Sequence, residues 1–153
     1  MSDTQFASDI LSGEMLEEEV SCDECGSAAS PRALHPGGVM KQMIVMRTDL
    51  GMRKGKMIAQ GAHASLAVVV NNAPDPRIDE WLAGAFTKIC VRVESEMELL
   101  DIYEKAKSTG LLTELITDNG LTEFNGVPTR TCIAIGPDTA ENLAPITGHL
   151  RLL

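Results

Sequence analysis

At 153 residues the chain has room for one domain with a proper core and not for two. Hydrophobic residues at 44% and charged residues at 23% are ordinary for a soluble globular protein, and no run approaches the roughly 18–20 apolar residues of a membrane span. The formal net charge of −9 argues against a nucleic-acid partner until its distribution is read. Residues 1–40 hold eight acids (Asp3, Asp9, Glu14, Glu17, Glu18, Glu19, Asp23, Glu24) against one base, Arg32, a balance of −7 that leaves −2 for the rest.

Residues 1–40 therefore read as an acidic, disordered tail, closing in the linker-like Ser30-Pro31-Arg32-Ala33-Leu34-His35-Pro36-Gly37-Gly38. The start lacks the basic-then-apolar layout of a secretory signal, so a cytoplasmic location is expected. Cys22 and Cys25 form a lone C-x-x-C with His35 as the only further ligand nearby, one short of a four-ligand zinc site. No metal and no cofactor are expected.

From Lys41 the pattern tightens into a folded domain, residues 41–153. Gln42 to Arg47 predict a first strand, and Thr48-Asp49-Leu50-Gly51 a turn. A central helix follows from about Gly55 to Asn71. At 100° per residue its Lys56, Gln60 and His63 share one face, while Ala59, Gly61, Ala62 and Ala64 allow close packing and Leu66 to Val70 point to a core. Arg53, Lys54 and Lys56 crowd the helix start, where the backbone already carries partial positive charge; a bound anion would remove that conflict. The bland alternatives are solvated cations and a core histidine held by a hydrogen bond.

Asn72-Ala73-Pro74-Asp75-Pro76 breaks the helix, and Arg77 to Ala85 predict a short second one with Trp81 and Leu82 inward. Lys88 to Val93 read as a second strand. Ser95 caps a third helix to about Ser108, with Glu98 completing a capping box, Leu99, Leu100 and Tyr103 inward, and Gly110 ending it. Leu112 to Thr117 form a third strand. A polar loop from Asp118 to Pro128 leads to a fourth, Thr131 to Gly136, and a last helix from Thr139 is interrupted by Pro145. Cys90 and Cys132 lie in apolar strands and read as buried, inert thiols.

Alternating strands and helices predict a single α/β domain: a four-stranded mixed, mostly parallel sheet with helices on both faces, the fourth strand antiparallel to the third. Sites in such sheets gather at the carboxyl ends of the strands. That edge collects Arg47 to Lys56 and Asp118 to Thr122, two loops expected to face one another.

These residues resemble a known family, the archaeal and eukaryotic type of peptidyl-tRNA hydrolase. Its opening signature R-x-D-L-x-M-x-K-G-K-x-x-x-Q-x-x-H-A is matched by Arg47-Thr48-Asp49-Leu50-Gly51-Met52-Arg53-Lys54-Gly55-Lys56, then Gln60 and His63-Ala64. D-A-G-x-T appears as Asp118-Asn119-Gly120-Leu121-Thr122, and T-x-L/C-x-I-G-P as Thr131 to Pro137. T-G-H-L-K-L appears as Thr147 to Leu152. Four motifs in order span Lys41 to Leu153. Asn119 stands where Ala is usual, Pro145 where a helix former is usual, and compact members have no counterpart of the tail.

The resemblance implies hydrolysis of the ester joining a nascent peptide to the 3′ ribose of tRNA. Such a site needs a base for water, donors for the oxyanion and cations for phosphate. Within the two facing loops the acids are Asp49 and Asp118, so Asp118 is assigned as base or water-orienting group. Lys56 steadies the oxyanion or terminal phosphate, and Gln60 and Thr122 add neutral hydrogen bonds. His63 is either a base or, being inside the helix, a structural hydrogen-bonding group. Arg47, Arg53 and Lys54 are assigned to RNA phosphate, with Asp49 and Thr131 supporting. With aromatics at 3%, base stacking is unavailable, so tRNA would be held through its backbone. A homodimer is compatible with the resemblance. Gly51-x-x-x-Gly55-Lys56 is one residue short of a P-loop and has Met57 where Ser or Thr should hold magnesium, which counts against a phosphate-binding NTPase as the rival reading. A non-catalytic RNA or protein adaptor on the same fold remains the alternative.

Overall fold

The computed structural model describes residues 38–153. The C-x-x-C pair, His35 and nearly all of the acidic tail lie outside the described residues. The elements are β1 (Lys41–Arg47), α1 (Lys54–Asn72), α2 (Pro76–Ala83), β2 (Thr87–Val93), α3 (Glu96–Ser108), β3 (Thr113–Asp118), β4 (Thr129–Asp138), α4 (Ala140–Thr147) and β5 (Arg151–Leu152).

The sheet order is β3-β4-β1-β2-β5. Only β1 and β2 pair in parallel; β4 is antiparallel to both β1 and β3, and β5 is antiparallel to β2. The expected four-stranded, mostly parallel sheet is thus corrected to five strands in a mixed sheet. Alternation of strands and helices fixes the direction of β1, β2 and β3, which all run the same way. It does not say which strand lies between them. β4 does, because its residues Thr131 to Asp138 are buried throughout and belong at the centre beside β1. β5 has two residues, too few for any periodic signal.

β1 is apolar on both faces and has a layer on each. Met43 and Val45 join Val91, Leu99, Ile102, Ile133 and Leu143 beneath α3 and α4. Ile44 and Met46 join Ala64, Val68, Cys132 and Ala134 beneath α1. Each fully buried branched side chain contributes about 1.5–3 kcal/mol relative to exposure. Gly61 lets α1 sit close: a Cβ there would lie 3.6 Å from the Ile44 side chain.

Helix α1 packs over β4, β3 and β1, leaving the same face of β2 uncovered. Three expectations fail for that reason. Leu66 and Val70 are 61% and 67% exposed, Leu82 is 46% exposed, and Cys90 is exposed rather than buried. Trp81 does point inward, its indole N–H donating to the Thr87 carbonyl at 3.0 Å. Ser95 caps α3 by accepting from the Glu98 amide, but the Glu98 carboxylate accepts from the Glu94 amide at 2.8 Å, one residue before the cap.

Candidate active site

The carboxyl ends of β1 and β3 bring the two loops together. The Lys56 ammonium, in the first turn of α1, donates to Asp118 Oδ1 at 2.6 Å and to Thr122 Oγ1 at 3.1 Å. It also lies 5.7 Å from the centre of the Phe124 ring. One turn along, Gln60 Nε2 donates to the same Asp118 Oδ1 at 3.1 Å. The Gly120 amide donates to Asp118 Oδ2 at 2.9 Å. The Lys56 and Asp118 side chains keep 13% and 10% of their exposure, so the pair is largely sheltered yet still reached by solvent.

The Asp118 carboxylate is held below the usual carboxylate range, first by the Lys56 hydrogen bond and then by the Gly120 amide, the Lys56 charge and Gln60, against the opposing effect of burial. It is therefore ionised at neutral pH, with acceptor capacity left on Oδ2. Lys56 has three N–H donors and spends two on Asp118 and Thr122, leaving one for a substrate. Thr122 accepts from Lys56, so its own hydroxyl proton is available.

Behind this pair, Gln60 is 3% exposed and Thr131 is fully buried. Thr131 Oγ1 donates to Gln60 Oε1 at 2.6 Å. Cys132 donates its S–H to the Gln60 carbonyl at 3.3 Å, and burial pushes its thiol up to about 12, which makes it inert as expected.

Arg47 departs from a phosphate-facing cation. Its guanidinium, 7% exposed, binds both oxygens of Asp49 at 3.1 and 2.7 Å, Glu96 at 3.0 Å and the Arg130 carbonyl at 2.9 Å. Asp49 is held low by Arg47, and Glu96, which also takes Arg130 at 2.7 Å, is held low chiefly by Arg130. The network ties the end of β1 to the start of α3 and to β4. Arg53 pairs with Glu123 at 2.6 Å, and Glu123 also accepts from the Arg53 amide. That carboxylate stands in for a cap on α1, whose first turn has no acid and no side-chain cap. Lys54 is exposed and makes no ion pair among the described residues.

His63 falls outside the constellation. It is exposed and forms no hydrogen bond among the described residues, so neither burial nor a structural hydrogen bond explains it. The half-covered α1 turns its third polar residue to solvent. Glu96, Arg130, Glu123 and Phe124 were not legible as participants. Glu123 and Phe124 carried one signal, their place directly after Thr122; Glu96 and Arg130 carried none.

Fold and site define an α/β domain with a lysine–aspartate centre at the carboxyl edge of its sheet, braced by a buried amide and hydroxyl. The family model of peptidyl-tRNA hydrolase PTH2 matches residues 40–153, and the chain belongs to that family. Its relatives include a peptidyl-tRNA hydrolase of Methanocaldococcus jannaschii, 48% identical over 116 residues, covering 74% of this chain and 100% of that one. One from Methanothermobacter thermautotrophicus is 42% identical over 114 residues, covering 74% and 100%. A probable peptidyl-tRNA hydrolase 2 of Dictyostelium discoideum is 38% identical over 117 residues, covering 75% of this chain and 55% of its own.

Proposed function

We propose that this site hydrolyses the ester bond between a peptide and the 3′ ribose of tRNA, releasing free tRNA and peptide. The chain is a carboxylic ester hydrolase of translation. The observation that carries the reading is the Lys56–Asp118 contact at 2.6 Å, which joins the two family motifs across the sheet edge.

The chemistry runs through few groups. A water held by the free lone pair of Asp118 Oδ2 attacks the ester carbonyl carbon. A carboxylate with a depressed pKa is a weak base for bulk water, but the water's proton becomes acidic once its oxygen bonds to carbon. Asp118 takes that proton and returns it to the departing 3′ oxygen as the ester C–O bond breaks. The remaining Lys56 N–H and the Thr122 hydroxyl stabilise the oxyanion. Gln60 and Thr131 hold Asp118 in place. Asp49 supports indirectly, by fixing Arg47.

The substrate's RNA is gripped through its backbone. Lys54 at the start of α1 makes no ion pair among the described residues and is open to phosphate, and Arg53 joins it by exchanging its solvent-exposed pairing with Glu123 for phosphate. Arg47 acts by bracing rather than by contact. His63 serves at most the rim. Among the described residues no helix is long and apolar enough to cross a membrane. A cytoplasmic location suits an enzyme of translation. A second copy of the chain is the partner for the outer stripe of α1, where Ile58 and Leu66 stand exposed and share one apolar groove with Leu82 and Phe86. Sedimentation showing only monomer at micromolar concentration removes that partner. The adaptor alternative has no observation in its favour.

The test is release of an N-blocked aminoacyl group from tRNA, with and without a metal chelator. Turnover is expected in both. Asp118→Asn should lower it on the order of 10²–10⁴-fold with an unchanged circular dichroism spectrum. Wild-type turnover in that variant overturns the assignment.

A further inference from the structure

At the corner of the sheet farthest from β3, the structure holds two arginines in conflict. Arg92 of β2 and Arg151 of β5 are directly opposite one another in the antiparallel register. Directly opposed residues share a face, and like charges there destabilise a strand pair. Among the described residues neither guanidinium makes an ion pair or a side-chain hydrogen bond. The Arg92 Nε is buried and has no acceptor. Both arginines line a cavity of about 420 Å³ together with Lys105, His149 and three carboxylates, Glu94, Glu98 and Asp101, none of which forms an ion pair with either guanidinium.

Strand parity gives the direction. Val91 and Val93 belong to the core beneath α3, so strand alternation assigns Arg92 to the opposite face of β2, while the cavity that it lines with Arg151 also reaches Glu98 and Ile102 of α3. The start of α1 is close by. Met46, the register partner of Arg92, lines one cavity together with Cys90 and Lys54. The exposed apolar residues Leu82 and Phe86 lie before the amino end of β2, away from the arginines near its carboxyl end.

We infer that the Arg92–Arg151 pair is an anion site taking a phosphodiester of the RNA strand, continuing the cationic run that Lys54 begins. It rests on the tRNA substrate proposed above. One phosphate between two guanidinium forks satisfies the orphaned Nε and cancels the repulsion, and guanidinium geometry suits bidentate phosphate binding. The pair is a substrate-positioning site and touches no reacting atom.

The experiment compares the full chain with Arg92→Gln, Arg151→Gln, the double variant and Arg151→Glu. Binding of deacylated tRNA is followed by fluorescence anisotropy between about 50 and 200 mM salt. Kd should rise about tenfold in the double variant, and the slope of log Kd against log salt should fall by about 2. Arg151→Glu should weaken tRNA binding while raising Tm, because it places an opposite charge beside Arg92. Unchanged Kd and slope overturn the site. So does a lowered Tm in Arg151→Gln and Arg151→Glu, which would make Arg151 a structural residue. Inorganic phosphate bound by wild type and lost in the double variant, with tRNA affinity intact, overturns the RNA assignment in favour of a free-anion site. Failure of the parent reading looks different: wild type then binds tRNA with the arginine dependence but leaves its ester intact.

Discussion

A single hydroxyl decides which way the Gln60 amide faces. Thr131 has one proton and three acceptors in range, Gln60 Oε1 at 2.6 Å, the Ile116 carbonyl at 3.4 Å and the Cys132 sulfur at 3.8 Å. The shortest wins, so Oε1 is occupied and Nε2 must face Asp118. Thr131→Val leaves Oε1 without a donor in a site where Gln60 is 3% exposed. Turnover should fall about tenfold at unchanged KM, and Thr131→Ser should restore it to within about threefold. A KM effect without a kcat effect would contradict this role. The same carboxylate sets the pH dependence. Because Lys56 depresses the Asp118 pKa, the group stays ionised until the pH drops below the ordinary value of 3.8. The rate should therefore show no acid limb between about pH 5 and 7, and His63→Ala should change neither rate nor profile. A limb centred in the range of about pH 6–7 would move the base elsewhere.

Among the elements, the β3–β4 connection is the one the site depends on. Gly120 has φ +81°, and a Cβ there would strike the backbone of Val127. Alanine would be strained by conformation and by contact at once. The loop would have to open, taking the Gly120 amide from Asp118 and Thr122 from Lys56. Gly120→Ala should cost about 1–3 kcal/mol in urea unfolding and reduce turnover together. Gly55, at the start of α1, has open space around its Cβ position, so alanine there should leave stability within about 0.5 kcal/mol. Helix α1 itself is two-sided. Its inner face carries Gln60, Gly61, Ala64 and Val68, while Ile58, Leu66 and Val70 remain outside.

Among the described residues, five carboxylates (Asp49, Asp75, Glu96, Asp118 and Glu123) are held below their ordinary values by basic partners. A depressed folded-state pKa adds stability above the unfolded value and loses it as pH falls through the folded one. Stability should thus be level from neutral pH to about 5 and fall below about 4, with the exposed pairs adding little. Urea unfolding as a function of pH measures this; a loss already complete at pH 5 would contradict it.

The order of strands and helices, the caps at Ser95 and Gly110, the antiparallel turn from β3 to β4 and the motif residues Lys56, Gln60, Asp118 and Thr122 were all written in the sequence. Local periodicity, turn chemistry and spacing are properties of neighbouring residues, and those need no third dimension. The placing of β4 between β3 and β1, the pairing of a two-residue β5, the exposure of His63, Leu66 and Cys90, and the burial of Arg47 against Asp49 and Glu96 were decided only by the tertiary structure. Which face of a helix is covered, and which carboxylate a cation meets, depend on elements far away along the chain. In this protein that distance separates Lys56 from Asp118 and Arg92 from Arg151, and folding brings each pair together.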